Sequence, residues 1–418
     1  MQHNSEPTAP WSLTRKIFFR YCTTYFLLYL SSNLGFFNFI WTPPATWAGK
    51  WLIAPDFEIT VWTNGSGDTT YNYLVIFCIL LLSVVSAIIW SVVDRKRKSY
   101  NRLFYWVMVV LRYSLAITML TYGMAKITQL QFRFPSLSKL EDPFGNTSPM
   151  GLAWNYMGYS RGYNLFTGLA EFIGGFFLFF RRTSLFAALW CMTVMLNVVA
   201  MNIFYDIPVK LFSMHLFLFS VFVALPDRQR LINFFFLQKP VAPTTHWYPV
   251  FQTKWKRITL VSLKYLVIST FISLIVYTGV YNARRFNTNI NQAPLYGIYE
   301  VSNVNTNSTG LLNDRIRNLQ LSQKIYIEKD NTLSIRNRDM ELSYYSSKTD
   351  TVKQLLSYWT NATDSVQLHY QHVGKDSMSL HGIIGKDSID LQLKRKDPND
   401  YLLVNRGFHW INEHSMNR

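Results

Sequence analysis

The chain reads Tyr163-Asn-Leu-Phe-Thr-Gly-Leu-Ala-Glu-Phe-Ile-Gly-Gly-Phe-Phe-Leu-Phe-Phe180, an apolar stretch interrupted by one acid, Glu171. The preceding apolar stretch, at residues 103–125, contains Arg112. A charge within the hydrocarbon of a bilayer is costly, so such residues usually face the interior of a helix bundle and mark a functional site. The two charges therefore predict a buried polar site inside a membrane domain.

Apolar residues are concentrated in runs that are long enough to cross a bilayer, which takes about 20 helical residues. They make up 49% of the chain, an ordinary fraction for a globular protein, so their clustering is the signal. We predict seven spans, at residues 17–40, 71–93, 103–125, 163–180, 184–204, 209–225 and 258–281. The fourth and sixth are short, near the lower limit of about 17 residues, and a buried helix is the alternative for each.

Basic residues in the connections between spans predict the orientation of the chain. Lys and Arg are concentrated in the N-terminal tail and in three alternate connections, at 94–102, 181–183 and 226–257. The other connections are longer, have few basic residues and contain Asp56, Glu58, Asp68, Glu141 and Asp142. Because basic loops remain in the cytoplasm, we predict a cytoplasmic N-terminus in the inner membrane. With seven spans, everything after residue 281 then lies in the periplasm.

The net charge of +17 is located where membrane topology explains it. Residues 1–285 hold 26 Lys and Arg against 10 Asp and Glu, whereas residues 286–418 hold 15 against 14. The basic excess thus belongs to the membrane half, and we predict no nucleic-acid partner.

The sequence pattern changes after Arg285, where short segments alternate apolar and polar residues as half-buried strands do. These segments are Leu295–Val301, Lys324–Glu328, Val366–Tyr370, Ser377–His381 and Ser388–Leu393. They predict an antiparallel sheet or small barrel. One helix is predicted among them, from Thr349 to Trp359, with Thr349 or Asp350 as its N-cap.

The predicted fold is therefore mainly α, a polytopic membrane helix bundle followed by a small antiparallel β-rich extracytoplasmic domain. The predicted regions are a cytoplasmic tail (1–16), two N-terminal spans (17–102), a four-helix membrane core (103–225), a cytoplasmic linker (226–257), a seventh span (258–281) and a periplasmic β-rich domain (282–418).

Depth within the bilayer brings several polar residues to one level. Arg112 and Glu171 each lie about nine residues from the inner end of their spans, or roughly 13 Å from the cytoplasmic boundary. His215 lies at nearly the same level, and Asn197 about one turn further out. We predict an ion pair between Arg112 and Glu171, with His215 as a third catalytic group. The alternative is structural: Arg112 extends to the headgroups, His215 bonds a backbone carbonyl, and Asn197 joins two helices.

A second polar layer is predicted near the outer surface, as the mouth of a substrate-binding cavity that also contains Asn197. Its members are Tyr122, Lys126, Tyr159, Asn202, Asp206 and Lys210. The alternative is a ring of ordinary interfacial anchors.

No metal site is predicted. His369 and His372 are three residues apart on a strand and point to opposite faces, so they do not converge with His381. The three cysteines, Cys22, Cys78 and Cys191, lie within spans and form no Cys-x-x-Cys pair, which argues against a dithiol oxidase.

The segments Leu111-Arg-Tyr-Ser-Leu-Ala, Tyr122-Gly-Met-Ala-Lys126 and Gly168-Leu-Ala-Glu-Phe-Ile-Gly-Gly175 resemble the DoxX family of small four-helix bacterial membrane proteins. The shared pattern is a helix ending in Gly-x-x-Lys and a second bearing Glu-x-x-Gly-Gly. Lys126, Glu171, Gly174 and Gly175 match it, and the resemblance covers residues 103–225. The remainder is similar to longer DoxX-like proteins of Bacteroidota.

The resemblance implies redox chemistry, since DoxX-like proteins include a thiosulfate:quinone oxidoreductase subunit and a membrane partner of oxidative-stress enzymes. The sequence leaves the cofactor unknown, and a quinone is the candidate that this chemistry suggests. The three additional spans and the β-rich domain depart from the short family form.

Three functions remain open at this point. In the first, a redox-linked membrane protein uses the interior pair to bind a quinone headgroup or to relay a proton, with Glu171 as the proton carrier. In the second, the chain is a non-enzymatic membrane anchor that presents its β domain to an extracytoplasmic or membrane redox protein. Small-solute transport ranks last, because no inverted repeat or discontinuous helix is apparent.

Overall fold

The computed structural model describes residues 10–60, 67–243, 247–249, 253–290, 293–307, 319–361, 364–384 and 387–414. The chain forms two compact units. The first comprises Met1–Phe132 and Pro149–Gly279, and the second comprises Arg133–Ser148 and Val280–Arg418. The second unit therefore includes a short segment that interrupts the first unit in sequence.

The first unit is helical. Its helices are α1 (Leu13–Ser32), α2 (Asn38–Leu52), α3 (Thr70–Val93), α4 (Asn101–Ile127), α6 (Pro149–Tyr159), α7 (Arg161–Leu178), α8 (Ser184–Phe204), α9 (Lys210–Ala224) and α10 (Arg228–Phe235). Helix α11 (Lys254–Ile290) begins in the first unit and ends in the second, and α5 (Leu137–Leu140) belongs to the second unit.

Five helical segments of the described chain are long and apolar enough to cross a membrane, which makes this a multi-pass membrane protein. They are Thr70–Val93, Asn101–Ile127, Ser184–Phe204, Lys210–Phe235 and Lys254–Arg285. The first and fourth predicted spans also form helices, α1 and α7, but neither is among these five. The predicted layout of a membrane helix bundle followed by a β domain is confirmed. Of the seven predicted spans, five meet the criteria of length and composition for crossing a membrane.

Helices α4 and α7 cross at close range because glycines line their contact. A Cβ atom added at Gly168 would lie 2.7 Å from the carbonyl oxygen of Gly123, and one added at Gly175 would lie 2.9 Å from that of Ala116. Small residues at a helix interface allow the two backbones to approach closely. These contacts set the antiparallel register of the pair: Gly168 lies beside Gly123, and Gly175 lies beside the turn from Ala116 to Leu120.

The second unit contains a closed antiparallel barrel, in which each strand pairs with the next and β1 pairs with β8. The strands are β1 (Gly297–Thr306), β2 (Ser322–Ile327), β3 (Thr332–Asn337), β4 (Leu342–Asp350), β5 (Leu355–Trp359), β6 (Ser365–His372), β7 (Ser377–Ile384) and β8 (Asp387–Lys396). Alternate residues such as Val366, Leu368 and Tyr370 are buried in its core. The predicted antiparallel β domain is thus a barrel, followed by the short helix α12 (Leu402–Asn405).

The helix predicted from Thr349 to Trp359 is wrong. The chain forms the end of β4, a turn, and then β5, which buries Leu356 and Tyr358 in the barrel core. Asp350 accepts hydrogen bonds from the backbone N–H groups of Val352 and Lys353, at 3.0 and 2.9 Å. An aspartate can satisfy backbone donors in this way in a turn as well as at a helix N-cap, so the local signal was ambiguous.

The segment Arg133–Ser148, which we call the strap, lies against the outer face of the barrel. Leu137 of α5 packs on Ile298 and Tyr326. Glu141 accepts hydrogen bonds from Lys324, Lys396, Tyr326 and Tyr401, and Arg336 pairs with Asp142. The strap is held to the barrel by one apolar cluster and by these charged contacts.

Candidate functional site

A buried ion pair joins α4 and α7. The Lys126 Nζ lies 2.7 Å from Glu171 Oε1 and 2.7 Å from Oε2, and the two side chains are 8% and 5% exposed. Lys126 lies in the last turn of α4, and Glu171 lies near the middle of α7. A buried carboxylate needs a nearby cation, and here both oxygens of Glu171 accept hydrogen bonds from the Lys126 ammonium group.

The predicted ion pair between Arg112 and Glu171 is wrong. The prediction placed the inner ends of α4 and α7 at one level. The glycine contacts instead place Glu171 level with the stretch from Leu120 to Gly123. Helix α7 ends beside Arg112, about three helical turns after the start of α4. Glu171 therefore meets the lysine at the end of α4.

Arg112 satisfies the C-terminal end of α7. Its Nε and Nη2 donate to the carbonyl oxygen of Leu178 at 3.0 and 2.9 Å, and Nη2 also donates to that of Phe179 at 3.3 Å. The last carbonyls of a helix have no partner within the helix and carry partial negative charge. Arg112 thus has a structural role, which corresponds to neither the predicted catalytic role nor the predicted contact with the headgroups.

The Lys126–Glu171 pair lies on the wall of a cavity of about 720 Å³ within the first unit. The residues that line it come from α4, α6, α7, α8, α9 and their connections. Most are apolar, including Met119, Phe186, Leu189, Trp190 and Leu216. The cavity is thus a largely apolar space with one charged pair at its edge.

The cavity brings together five of the ten residues predicted for the site. Its described lining includes Tyr122, Lys126, Glu171, Asn197 and Asn202 and does not include Arg112, Tyr159, Asp206, Lys210 or His215. The two polar layers predicted from depth are therefore not separate sites. Lys126, predicted in the outer layer, contacts Glu171, predicted in the inner layer.

His215 belongs to an aromatic cluster with α1 and is not beside Glu171 in this cavity. Its Nδ1–H donates to the carbonyl of Leu211 at 2.6 Å, which leaves Nε2 to accept from the Tyr25 hydroxyl at 2.7 Å. The ring stacks on Tyr29, with centroids 3.6 Å apart. The predicted catalytic role for His215 has no support from this position, whereas the alternative of a backbone-bonded histidine describes it.

The outer polar residues are held at the turn between α8 and α9. The Asn202 amide donates to Ser213 Oγ at 2.9 Å and to the Val209 carbonyl at 3.3 Å. Lys210 pairs with Asp206 at 2.9 Å, while Tyr159 is exposed at the end of α6. Asp206 and Lys210 thus stabilise a turn and are not among the described residues that line the cavity.

Two amides on the cavity wall retain hydrogen-bonding capacity. The Oε1 atom of Gln131 is buried and has no hydrogen-bond partner among the described residues. Asn197 makes no side-chain hydrogen bond within the described chain, although it projects from an apolar helix. Sequence reasoning missed Gln131, because it follows the end of α4 in a connection of unknown path.

Gly174 has a packing role beside the cavity. A Cβ atom there would lie 2.8 Å from Cys191 Sγ and 2.9 Å from a ring carbon of Trp190. The Trp190 indole N–H donates to the carbonyl of Ala170 at 2.8 Å. The first glycine of the Glu-x-x-Gly-Gly motif therefore allows α8 to pack closely against α7, and the second allows α4 to do so.

Cys22, Cys78 and Cys191 are buried free thiols. In the part of the chain that the structure describes, no group of three or more His, Cys, Asp or Glu residues could hold a metal ion.

Comparison with known proteins identifies a relative but no function. No protein-family profile matches the chain, and no solved structure matches it. The uncharacterized protein YwoB of Bacillus subtilis is 30% identical over 130 residues, which cover 31% of this chain and 82% of YwoB. At this identity and coverage the relationship is one of family, and the chain therefore belongs to the family of YwoB.

Proposed function

We propose that the first unit is a redox-linked membrane protein that binds a quinone headgroup in the cavity beside Lys126 and Glu171. The observation that carries the proposal is the buried ion pair on the wall of an apolar cavity of about 720 Å³. Ligand pockets usually measure about 300–1,000 Å³ and combine apolar walls with a few placed polar groups. The cavity fits that description.

The polar groups of the cavity suit a ring with two oxygens. Lys126 has three N–H donors and makes hydrogen bonds only to the two oxygens of Glu171 among the described residues, which leaves one donor. Asn197 supplies a further amide, and Gln131 Oε1 is an acceptor in need of a donor. A quinone oxygen accepts hydrogen bonds, so Lys126 or the Asn197 amide can donate to it. The hydroxyl of the reduced quinol donates a hydrogen bond, which Gln131 Oε1 can accept.

The charges of the pair favour a proton-linked reaction. Reduction of the bound quinone to the quinol would take two electrons from a redox protein partner and two protons, and it places negative charge on a quinone oxygen. A cation held nearby in an apolar site stabilises such charge. Glu171 would hold the proton that is exchanged there. Lys126 would keep the site neutral while Glu171 is ionised.

The proposal includes the orientation inferred from basic loops. The N-terminus would lie in the cytoplasm of a cell with an inner membrane, and the barrel would lie in the periplasm. The DoxX-like pattern of Lys126, Glu171, Gly174 and Gly175 supports a redox role by resemblance.

The test is a titration of the purified full chain in nanodiscs with a short-chain naphthoquinone and a short-chain benzoquinone. Quenching of tryptophan fluorescence reports binding, because Trp154 and Trp190 line the cavity. We expect saturable binding that falls at least tenfold in Lys126→Met/Glu171→Gln. The matched control is Asp206→Asn/Lys210→Met, which removes an ion pair of the same unit outside the described cavity lining. Equal binding by the native chain and the Lys126/Glu171 variant would refute the proposal.

A second candidate function is that of an anchor that presents the second unit to a protein partner. Phe408, Trp410 and Ile411 follow the barrel and are 76%, 90% and 77% exposed. Large aromatic residues are enriched at protein interfaces. This function predicts that Trp410→Ala abolishes association with a co-purifying redox protein, whereas Glu171→Gln leaves both association and cellular function unchanged.

A further inference from the structure

A second cavity of the first unit, of about 730 Å³, is lined by four arginines. They are Arg112, Arg181, Arg182 and Arg230. Asp227 is the one acid among the described lining residues, and its Oδ1 pairs with Arg230 Nη1 at 2.5 Å. The cavity is therefore strongly basic, whereas the cavity beside Glu171 carries one balanced ion pair.

Three of these arginines have no carboxylate partner in the described chain. The guanidinium of Arg181 lies 3.4 Å from the ring centre of Tyr248, and Arg182 makes no hydrogen bond or ion pair with any described residue. Arg112 uses Nε and Nη2 to bond the end of α7, and its Nη1 has no described partner. The cavity thus offers guanidinium donors that the protein itself does not use.

The remaining wall is apolar. Phe104 and Met108 come from α4, Leu189 comes from α8, Val223 comes from α9, and Phe234 comes from α10. A ligand that fills this space must combine an anionic group with hydrocarbon.

We propose that this cavity binds the phosphate of an anionic membrane phospholipid, with Arg181 and Arg182 as its principal donors. Guanidinium groups match the geometry of phosphate oxygens. Basic pockets between membrane helices on the cytoplasmic side are suited to lipid headgroups, and the predicted orientation places these loops on that side. The apolar wall receives the first part of an acyl chain. This ligand is an anion and a structural lipid, so the inference is independent of the quinone proposal.

The experiment measures lipid binding to the full chain, purified in a zwitterionic detergent, by native mass spectrometry. Phosphatidylglycerol and phosphatidylcholine are added in separate titrations, and inorganic phosphate is then added as a competitor to the chain with bound phosphatidylglycerol. We expect phosphatidylglycerol to bind with defined stoichiometry and phosphatidylcholine to bind at least tenfold more weakly. Inorganic phosphate is expected not to compete at the same concentration, because it gains nothing from the apolar wall.

The test variant is Arg181→Gln/Arg182→Gln, and the matched control is Arg95→Gln/Lys96→Gln, two exposed basic residues outside the described lining. Loss of two basic contacts should weaken phosphatidylglycerol binding by roughly thirtyfold. The control should bind like the native chain. An equal loss in both variants would show a general charge effect and overturn the proposal. Displacement of bound phosphatidylglycerol by inorganic phosphate at the same concentration would overturn the assignment to a phospholipid. Unchanged binding of phosphatidylglycerol by the test variant would overturn the assignment to this cavity.

Discussion

Lys126 and Glu171 hold each other through two hydrogen bonds of 2.7 Å in the interior of the helical unit, where both side chains are almost fully buried. Two glycine contacts, one on each side of Glu171, fix the level at which the helices meet. The pair is therefore a product of helix register, and it gives the adjoining cavity its only described charges.

The two charges of the pair should be strongly coupled in stability. Removal of one partner leaves a buried charge without compensation, at a cost of about 3–5 kcal/mol, whereas removal of both is much less costly. Glu171→Gln alone should therefore destabilise the chain more than Lys126→Met/Glu171→Gln. A double-mutant cycle of unfolding free energies in detergent micelles measures this coupling. Simple additivity of the two single changes would contradict the ion pair.

Arg112 should behave as a helix cap and not as a partner of Glu171. Arg112→Met leaves the carbonyls of Leu178 and Phe179 without a donor, which should cost about 1–3 kcal/mol. Because Arg112 and Glu171 share no contact, their effects should add within about 0.5 kcal/mol. The same unfolding assay measures this, and a coupling as large as that of Lys126 with Glu171 would restore the rejected Arg112–Glu171 pair.

The glycine contact should be intolerant of a methyl group. Gly168→Ala places a Cβ 2.7 Å from the Gly123 carbonyl oxygen and must separate α4 from α7, at a cost of about 1–3 kcal/mol. Gly162→Ala on the same helix is the control, because its Cβ has its nearest neighbour 3.9 Å away. Equal thermal stability of the two variants would count against the close crossing.

Glu141 should make the barrel sensitive to acid. Burial raises the pKa of Glu141, but hydrogen bonds from Tyr401, Lys324 and Lys396 outweigh it and lower the pKa from 4.5 to about 2. Since the folded pKa is depressed, the stabilisation is present above pH 4.5 and is lost as the pH falls towards 2. The protection factors of amides in β2 and β8, which correct exchange rates for their intrinsic pH dependence, should therefore fall over that range in the native chain and much less in Glu141→Gln.

Glu328 should make the second unit less stable as the pH rises, which is the opposite of the effect of Glu141. Burial raises the pKa of its carboxyl from 4.5 to about 7, although the backbone N–H groups of Leu137 and Ser138 lower it. A raised carboxyl pKa means that the folded state holds its proton more tightly, so stability falls as the pH rises from 4.5 to 7. The protection factors of the strap amides, which correct exchange rates for their intrinsic pH dependence, should therefore fall over that window, and Glu328→Gln should remove the fall. The exposed Glu341→Gln serves as the control, and a fall that persists in Glu328→Gln assigns the effect to another group.

The sequence was sufficient to predict the membrane bundle and the β domain, because each follows from the spacing of apolar residues along the chain. Apolar runs marked the helices, and alternation in Val366–Tyr370 and Ser377–His381 marked strands β6 and β7. The local patterns left an open antiparallel sheet and a small barrel as alternatives, because closure depends on the long-range pairing of β1 with β8.

The site was only partly predictable for a related reason. Residue type identified Glu171 and Lys126 as unusual, but depth counted from helix ends assumed that neighbouring helices end at one level. The glycines at 123, 168 and 175 set a different register, and their effect depends on packing partners that lie 45 residues (Gly123 and Gly168) or 59 residues (Ala116 and Gly175) apart in sequence. The same limit hid Gln131, whose place at the cavity follows from the path of the chain after α4.

Photolabelling with a light-activated quinone analogue shows where on the chain a quinone binds. The full chain in nanodiscs is irradiated with the analogue, and labelled peptides are identified by mass spectrometry with and without excess unlabelled quinone. We expect competed labelling in residues 118–132, 163–171 and 186–201, which contain much of the cavity wall beside Lys126 and Glu171. Labelling that is not competed, or that falls at the arginine-lined cavity or the barrel instead, would contradict the quinone proposal.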